Sequence, residues 1–431
     1  MNLIASFPAH DQQAAIRQTA AALLNDRTPG FSLPQPLYTD ERLYALDMQE
    51  IFAKEWLFAG HDCEIPGKGN FMTLQVANNP VVLVRGDKGV IHGFHNVCRH
   101  RGSRVCLAEK GKVAKLVCPY HQWTYELDGR LLFAGNVMND DFDMAAYGLK
   151  PIQVRSAGGF IFINLAAQPV NDPLFEAFLT DLETYLAPHG MDNVKVAAES
   201  HIVEEANWKL VVENNRECYH CNGSHPELMN SLLEFDNTED PRATPEYAAQ
   251  VAEATARWDA QGAAWQLKYF GRRNRLTRTP LKKGTNSMTL DGQPACKRLM
   301  GNLRDPRMGA LRILHLPNSW NHVMGDHAVT FRILPLGPRQ TLVTSKWLVH
   351  KDAVEGVDYD PVEMRKVWDA TNLQDRKITE DNQRGIDSLA YQPGPYSQSF
   401  EFGVIDFVDW YSERMLSHLE EEVPALKLAQ G

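Results

Sequence analysis

Two short loops constrain this chain more tightly than any other feature. Cys98-Arg99-His100 and Cys118-Pro119-Tyr120-His121 each offer one thiol and one imidazole, separated by one and two residues respectively. A fold that carries them has to present the loops as a pair. Two thiolates and two imidazoles held in this way suit a [2Fe–2S] centre in which histidines replace two cysteines on one iron, and the neutral ligands raise its potential above that of a four-cysteine centre. A structural zinc site uses the same donor types but usually groups like with like, as C-x-x-C and H-x-x-x-H, whereas each loop here holds one of each. Cys106 lies between the loops and reads as a packed thiol.

The surroundings fit a β scaffold. From about 68 to 165 the apolar period is two, in short runs such as FMTLQV, VVLVRG, VIHGFHNV and FIFINL, broken by turn signals at NNP, GDKG, DG and GG. Before this module, residues 10–25 form a helical pattern, and a second helix is expected to start at an N-cap on Thr39 with Asp40 and Glu41 in its first turn. After it, 166–173 reads as a linker in which Asn171 or Asp172 caps a helix with Pro173 at its start. The remainder is α+β. RILHLP, AVTFRILPL and QTLVTSKWLVH are strand-like, a long helix opens at Asp360 with Pro361 and Glu363, ending near Gly385, and another helix covers about 404–420.

A second set of metal-binding residues lies in NWKLVVENNRECYHCNGSHP, residues 207–226. His220 and His225 are five apart, about 140° around a helix, so the break offered by Asn222-Gly223 and Pro226 is needed to bring them together. Two histidines and one carboxylate make the facial triad of non-haem Fe(II), with positions left for O₂. The carboxylate candidate is Asp375, on the apolar stripe Met364, Val367, Trp368, Thr371 and Ile378, continued by Asn382. A lone carboxylate there is costly unless paired or bound to metal. Asp375 could equally be a buried ion-pair partner, and Cys218-Tyr219-His220-Cys221 could be a redox C-x-x-C or part of a zinc site. Glu217 precedes His220 by one turn. It is either a solvated charge or a carboxylate that hydrogen-bonds the ligating imidazole and links the two centres.

The bulk properties exclude more than they select. The 431 residues carry 44 basic and 54 acidic side chains, a net charge of −10, which argues against nucleic acid as the main partner. No apolar run is long enough to span a bilayer, and the first residues lack the features of a signal peptide. Seven cysteines in a chain this long suit thiols that bind metals or pack in cores better than a disulfide framework, so the cytoplasm is the expected compartment.

Together the two motifs resemble the Rieske non-haem iron oxygenase family over essentially the whole chain. The resemblance implies an N-terminal helical segment (1–45), an all-β Rieske [2Fe–2S] domain (46–165) and a catalytic domain (166–431) of helix-grip (START/Bet v1-like) fold with a curved antiparallel sheet. It implies that Cys98, His100, Cys118 and His121 hold the cluster, that His220, His225 and Asp375 hold a mononuclear Fe(II) where O₂ is the co-substrate, and that Glu217 is the bridge. The family usually has Asp at the bridge. Glu there is typical of its quaternary-ammonium branch, which HNVCRHRGSRVC, NWKLVVENNRECYHCNGSHPEL, WLVHKDAVEGVDYD and AYQPGPYS also resemble. RNRLTRTPLKKGTNSMTLDG and DFDMAAYGLKP lean toward members that N-demethylate glycine betaine, with proline betaine, carnitine and choline as alternative substrates. The expected partners are an NAD(P)H-dependent flavin/ferredoxin-type reductase and two further copies of the chain, in a homotrimer. Trp208, Trp320, Tyr391 and Tyr396 are the candidate aromatic faces for a trimethylammonium group, with an unidentified Arg or Lys for a carboxylate. Outside enzymology, the chain could be a Rieske electron carrier or a regulator that retains the fold.

Overall fold

The computed structural model describes residues 10–136, 138–168, 170–233 and 243–421. Residues 1–9 of the N-terminal segment, Pro169 of the linker and 422–431 fall outside them. Helix α1 (His10–Asn25) lies against the last helix of the chain: Arg17 donates to the His418 carbonyl at 3.1 Å and Arg27 pairs with Asp409 at 2.5 Å. The next helix, α2 (Glu41–Asp47), is capped by Asp40 and not by Thr39 as expected, the carboxylate accepting from the Arg42 N–H at 2.8 Å. The reason is local, since Pro36–Thr39 closes a helical turn of its own and leaves Asp40 as the extended residue between two turns.

The β module contains three small antiparallel sheets. Strands β1 (Leu57–His61), β2 (Asn70–Val76), β3 (Asn79–Arg85), β4 (Ile91–His95) and β5 (Lys110–Lys112) are followed by β6 (Leu116–Val117), β7 (Thr124–Tyr125), β8 (Leu131–Phe133), β9 (Gln153–Ala157) and β10 (Phe160–Asn164). They order as β4-β3-β2-β5, β6-β7-β8 and β1-β10-β9. The first motif loop therefore leaves β4 and the second joins β6 to β7, so hairpin geometry alone turns both loops to one end.

Helix α3 (Pro173–Leu186) follows, capped by Asp172, which accepts from Phe175 N–H at 2.9 Å. Then come β11 (Val194–Glu204), α4 (Trp208–Asn215), α5 (Pro245–Asp259), β12 (Lys268–Phe270), β13 (Asn274–Thr279), β14 (Ala310–His315), β15 (Ser319–Val323), β16 (Ala328–Gly337), β17 (Gln340–His350), α6 (Pro361–Ile386) and α7 (Phe402–Glu421). The strands form one antiparallel seven-stranded sheet, β11-β17-β16-β15-β14-β13-β12. Helix α6 lies across it. Trp368 packs on His322 of β15 and Phe331 of β16, Asn372 donates to Ser345 of β17 at 3.0 Å, and Thr379 donates to Glu204 of β11 at 2.5 Å. This arrangement, a long helix gripped by a curved antiparallel sheet, is the expected helix-grip architecture.

The buried line of α6 departs from the expected stripe in its second half. Ile378 is half-buried and Asn382 exposed, while Thr379, Gln383 and Ile386 face inward. The helical repeat does not account for this, since Asn382 falls about five full turns after Met364; partners beside the sheet draw Thr379 and Gln383 inward instead. Both are polar and are satisfied by Glu204 and by the Asn207 N–H, which donates to Gln383 at 2.9 Å.

The β module is fastened to the large sheet by buried polar contacts. Asn318 brackets Phe58, accepting from its N–H and donating to its carbonyl at 2.9 Å each, and a ring nitrogen of His315 lies 2.8 Å from the Trp56 carbonyl. Buried Glu55 pairs with Arg273 at 2.9 Å and Arg414 at 2.6 Å.

Candidate metal centres

The two motif loops are built alike. The Cys98 carbonyl accepts from Gly102 N–H and the Cys118 carbonyl from Gln122 N–H, both at 3.0 Å, and Gly102 and Gln122 both adopt left-handed backbone, at φ of 81° and 61°. Each turn buries its cysteine and leaves its histidine exposed: Cys98 is 3% and Cys118 1% accessible. His100 and His121 lie side by side with ring centroids 4.6 Å apart, His100 stacked on Trp123 and His121 on Tyr120. The Tyr125 hydroxyl sits 3.2 Å from the Cys98 sulfur and accepts from the Arg99 N–H. Loss of water, and then the neighbouring His100 and Arg101, keep the His121 imidazole below its ordinary range, the neutral form a metal requires. A pair of inward sulfurs and a pair of outward imidazoles fits a [2Fe–2S] group ligated by sulfur on one iron and nitrogen on the other. Cys106 is a buried thiol, raised to about 11 by burial.

The second set also comes together. Helix α4 ends at Asn215, and the chain turns through a single helical turn, Cys221–Ser224, that reverses the direction between His220 and His225. The two Nε2 atoms face each other at 3.0 Å. Asp375 Oδ1, from α6, stands 3.0 Å from Nε2 of His225 and 3.4 Å from Nε2 of His220. Donors at ~2.1 Å from one metal and at right angles lie ~3.0 Å apart, so the spacing of these three atoms fits a shared ion.

Each member has a further hydrogen-bond partner, and for Asp375 that partner shares the oxygen facing the imidazoles. Asn214 donates to Asp375 at 2.8 Å, the Nδ1 side of His225 meets Gln374 Oε1 at 2.9 Å, and Gln374 in turn donates to Glu227 at 2.8 Å. Glu217 accepts from His220 through Nδ1 and turns its other oxygen to the backbone N–H groups of Tyr219 and His220. Burial alone would lower His220, but Asp375 and Glu217 outweigh it and raise the imidazole to about 9. Burial likewise opposes ionisation of Asp375, yet the two histidines bring it down to about 2. The Asp375 carboxylate is thus ionised, and a dication can take the place of the proton it holds on the imidazoles.

The sulfur of Cys221 lies within 4.8 Å of both imidazole donors but is joined to Cys218 in a disulfide. The preference for free thiols thus fails at this pair. Their i, i+3 spacing across the turn brings the Cα atoms to 4.9 Å, close enough for a bridge.

These residues open into a cavity of about 140 Å³, smaller than the ~300–1,000 Å³ usual for drug-sized ligands. Its helical side holds Glu217, His220, His225 and Asp375; its sheet side holds Arg275, Arg312, Trp320 and His322, with Trp368 and Phe400 between. Of the four aromatic residues singled out in the sequence, only Trp320 lines it. Trp208 is core, edge-on to Phe52 with its N–H on Asp47, Tyr391 bonds Ser32 and the Leu33 carbonyl, and Tyr396 donates to Glu213 at 3.0 Å. The two arginines, His322, Asn214 and Gln374 were missed. The available signal was the strand alternation Arg275-Leu276-Thr277 and Arg312-Ile313-Leu314, which puts a charge on each inward face.

The chain is similar to known proteins over its whole length. The pattern of the ring hydroxylating alpha subunit (catalytic domain) matches residues 191–417, and that of the Rieske [2Fe–2S] domain matches 55–136. Over its full 431 residues the chain is 66% identical to the glycine betaine monooxygenase oxygenase subunit of Chromohalobacter salexigens, covering 96% of that protein. It is 60% identical to the Pseudomonas aeruginosa subunit of the same name, with both chains wholly covered. A crystal structure of the quaternary ammonium Rieske monooxygenase CntA superposes with a TM-score of 0.70 at 22% identity, over 92% of this chain and 98% of that one, a likeness of fold.

Proposed function

The chain belongs to the ring-hydroxylating alpha-subunit family with an N-terminal Rieske [2Fe–2S] domain, and from that premise we propose that it is the oxygenase component of a monooxygenase that N-demethylates glycine betaine. The observation that carries the reading is the meeting of His220, His225 and Asp375 at metal-ligand spacing on the wall of a small cavity. In it, Cys98, His100, Cys118 and His121 hold the cluster, and His220, His225 and Asp375 hold the mononuclear iron. Bound there, the iron supplies activation of O₂ and the cluster supplies electrons.

The chain's own residues prepare the site. Glu217 and Gln374 hold the Nδ1 protons of His220 and His225, so that both Nε2 lone pairs point at the metal. Asn214 fixes one oxygen of Asp375. Leu228, Leu232 and Leu314 give the cavity part of its apolar lining. In the net reaction one atom of O₂ enters an N-methyl C–H bond and the other leaves as water, with two electrons from NAD(P)H and two protons. The C–N bond of the N-hydroxymethyl cation then breaks, nitrogen keeping the electron pair and the hydroxyl releasing its proton, to give dimethylglycine and formaldehyde.

A reductase component charges the cluster; the flavin/ferredoxin type is the expected one. The exposed His100 and His121 support assembly as a homotrimer in which one subunit's cluster faces another's iron across Glu217. Among the described residues no helix is long and apolar enough to cross a membrane. The test is a reconstituted assay with a generic reductase, scoring formaldehyde from glycine betaine, proline betaine, carnitine and choline. Glycine betaine is expected to give the highest kcat/KM. No formaldehyde from any of them overturns the reading.

A further inference from the structure

We propose that Cys221 is a further ligand of the mononuclear metal centre, withheld while it is bonded to Cys218 and released when that disulfide is reduced. The inference rests on the reading of His220, His225 and Asp375 as metal ligands, and adds to it a residue that decides whether the site is open to O₂.

The sulfur is already beside the metal position. His220, Cys221 and His225 each bring one ligand atom to within 4.8 Å of the other two. Asp375 Oδ1 stands at 3.0 Å and 3.4 Å from the same two imidazoles. Metal–nitrogen bonds of ~2.1 Å and a metal–sulfur bond of ~2.3 Å at tetrahedral angles put the two donors ~3.6 Å apart. The sulfur therefore has to close by no more than about 1 Å, and a change of rotamer at Cys221 moves it farther than that.

The turn that carries the histidines does not depend on the S–S bond. The Cys221 N–H donates to the Cys218 carbonyl at 3.3 Å, the Gly223 N–H to the His220 carbonyl at 3.1 Å and the His225 N–H to the Cys221 carbonyl at 2.9 Å. Glu217 accepts from the N–H groups of Tyr219 and His220. With the backbone held in this way, reduction frees the sulfur and leaves both imidazoles in place.

The two redox states offer the metal different donors. Thiolate sulfur is the metal ligand, and in the disulfide neither sulfur is a thiolate. Two imidazoles and one carboxylate then leave positions for O₂. In the reduction the S–S bond breaks, each sulfur gains one electron and one proton from an external dithiol, and the dithiol leaves as a disulfide. Cys221 gives up its proton as it binds the metal. Two imidazoles, a thiolate and a carboxylate make a closed set of four, which suits zinc and leaves no place for O₂. Both cysteines line the cavity, Cys218 half-buried and Cys221 buried, so an incoming thiol attacks Cys218 and expels the Cys221 sulfur.

The experiment takes protein depleted of the mononuclear iron but retaining its cluster, loads it with one equivalent of Zn(II), and reads the zinc K-edge X-ray absorption before and after reduction. The reductant is a water-soluble phosphine, which takes oxygen from water as the disulfide takes two protons and two electrons, and which is then removed. The cluster holds no zinc, and its visible absorbance reports that each sample is folded. The oxidised protein should show only nitrogen and oxygen neighbours at ~2.0–2.2 Å, and the reduced protein should gain one sulfur per zinc at ~2.3 Å. Cys218→Ser, which frees the Cys221 thiol, should show that sulfur without reductant. Cys221→Ser, which leaves only Cys218, should show none in either state. Formaldehyde release by the iron-loaded enzyme should be lost on reduction and return on treatment with oxidised glutathione. Zinc held by nitrogen and oxygen alone in both the reduced wild type and Cys218→Ser overturns the proposed ligand and leaves the metal site standing, and a sulfur that persists in Cys221→Ser overturns it too. If zinc binds in neither state, the reading of the three residues as metal ligands falls, and the proposal falls with it.

Discussion

Replacing Gln374 by Leu tests whether the hydrogen bonds behind the histidines set the affinity for iron. The Nδ1 proton of His225 is held by Gln374 Oε1 at 2.9 Å, and the His225 ring is 1% accessible, so water cannot take over as acceptor. Leaving a buried N–H unsatisfied costs ~1–3 kcal/mol. Loss of a partner that orients a metal-bound imidazole weakens binding by ~10–100-fold, or ~1.4–2.8 kcal/mol. The two estimates agree on roughly a 30-fold loss. Leucine is a strong helix former and α6 carries Asp375 at the next position, so the carboxylate stays in place. The assay is anaerobic titration of iron-depleted protein with Fe(II) against a chelator, with the visible absorbance of the cluster as an internal control. Gln374→Glu combined with Glu227→Gln retains an acceptor for His225 and a donor between the two side chains, and should bind iron about as well as wild type. Iron affinity of the Leu variant within about twofold of wild type, cluster intact, would refute the reasoning, because the tautomer of His225 would then be fixed by something else.

Glu217→Gln keeps the shape and removes the charge beside His220; both metal contents should persist while re-oxidation of the chemically reduced cluster in a single turnover slows, and an unchanged rate excludes the bridge. Asp375→Ala should lose the mononuclear iron and retain the cluster, reducing iron from about three to about two per chain; three irons with full turnover would show that the ligand is elsewhere. Glu204 is raised to about 7 by burial, and then by the charges of Asp375 and Glu380. Its stabilising contribution is complete below its ordinary value near 4.5 and is lost as pH rises through 7, so Glu204→Gln should gain on wild type by ~3 kcal/mol between pH 4.5 and 8. A pH-independent difference in chemical denaturation would contradict this. Glu55→Ala leaves Arg273 with Asp172 at 2.6 Å as its acidic partner and should cost ~1.5–3 kcal/mol by the same measurement; a loss under about 0.5 kcal/mol would mean that water reaches the gap.

What could be read in the sequence, and what could not, divides along the range of the forces involved. The cluster loops were legible because each is a closed local unit. Ligand spacing, a residue that accepts left-handed backbone and a flanking hairpin all lie within a few positions of Cys98 or Cys118. Asp375 was legible for a different reason, since a lone carboxylate on an apolar line has few stable explanations. The same reasoning failed two turns later, at Asn382, which the helical repeat returns to the line of Met364 but which is exposed. It also passed over Thr379 and Gln383, whose burial depends on partners in β11 and the turn after it. The aromatic residues show the limit most clearly. Trp208 and Trp320 look equivalent in the chain, and only the register of β14 against β15 decides that one faces the cavity while the other fills the core. The residues that choose a substrate are therefore the least visible part of the sequence. Metal ligands follow short motifs, whereas this pocket wall is made of positions on three strands whose order no local pattern reveals. The family can be identified from twenty residues, whereas Arg275, Arg312 and Trp368 of the cavity wall meet only when the sheet and α6 are assembled.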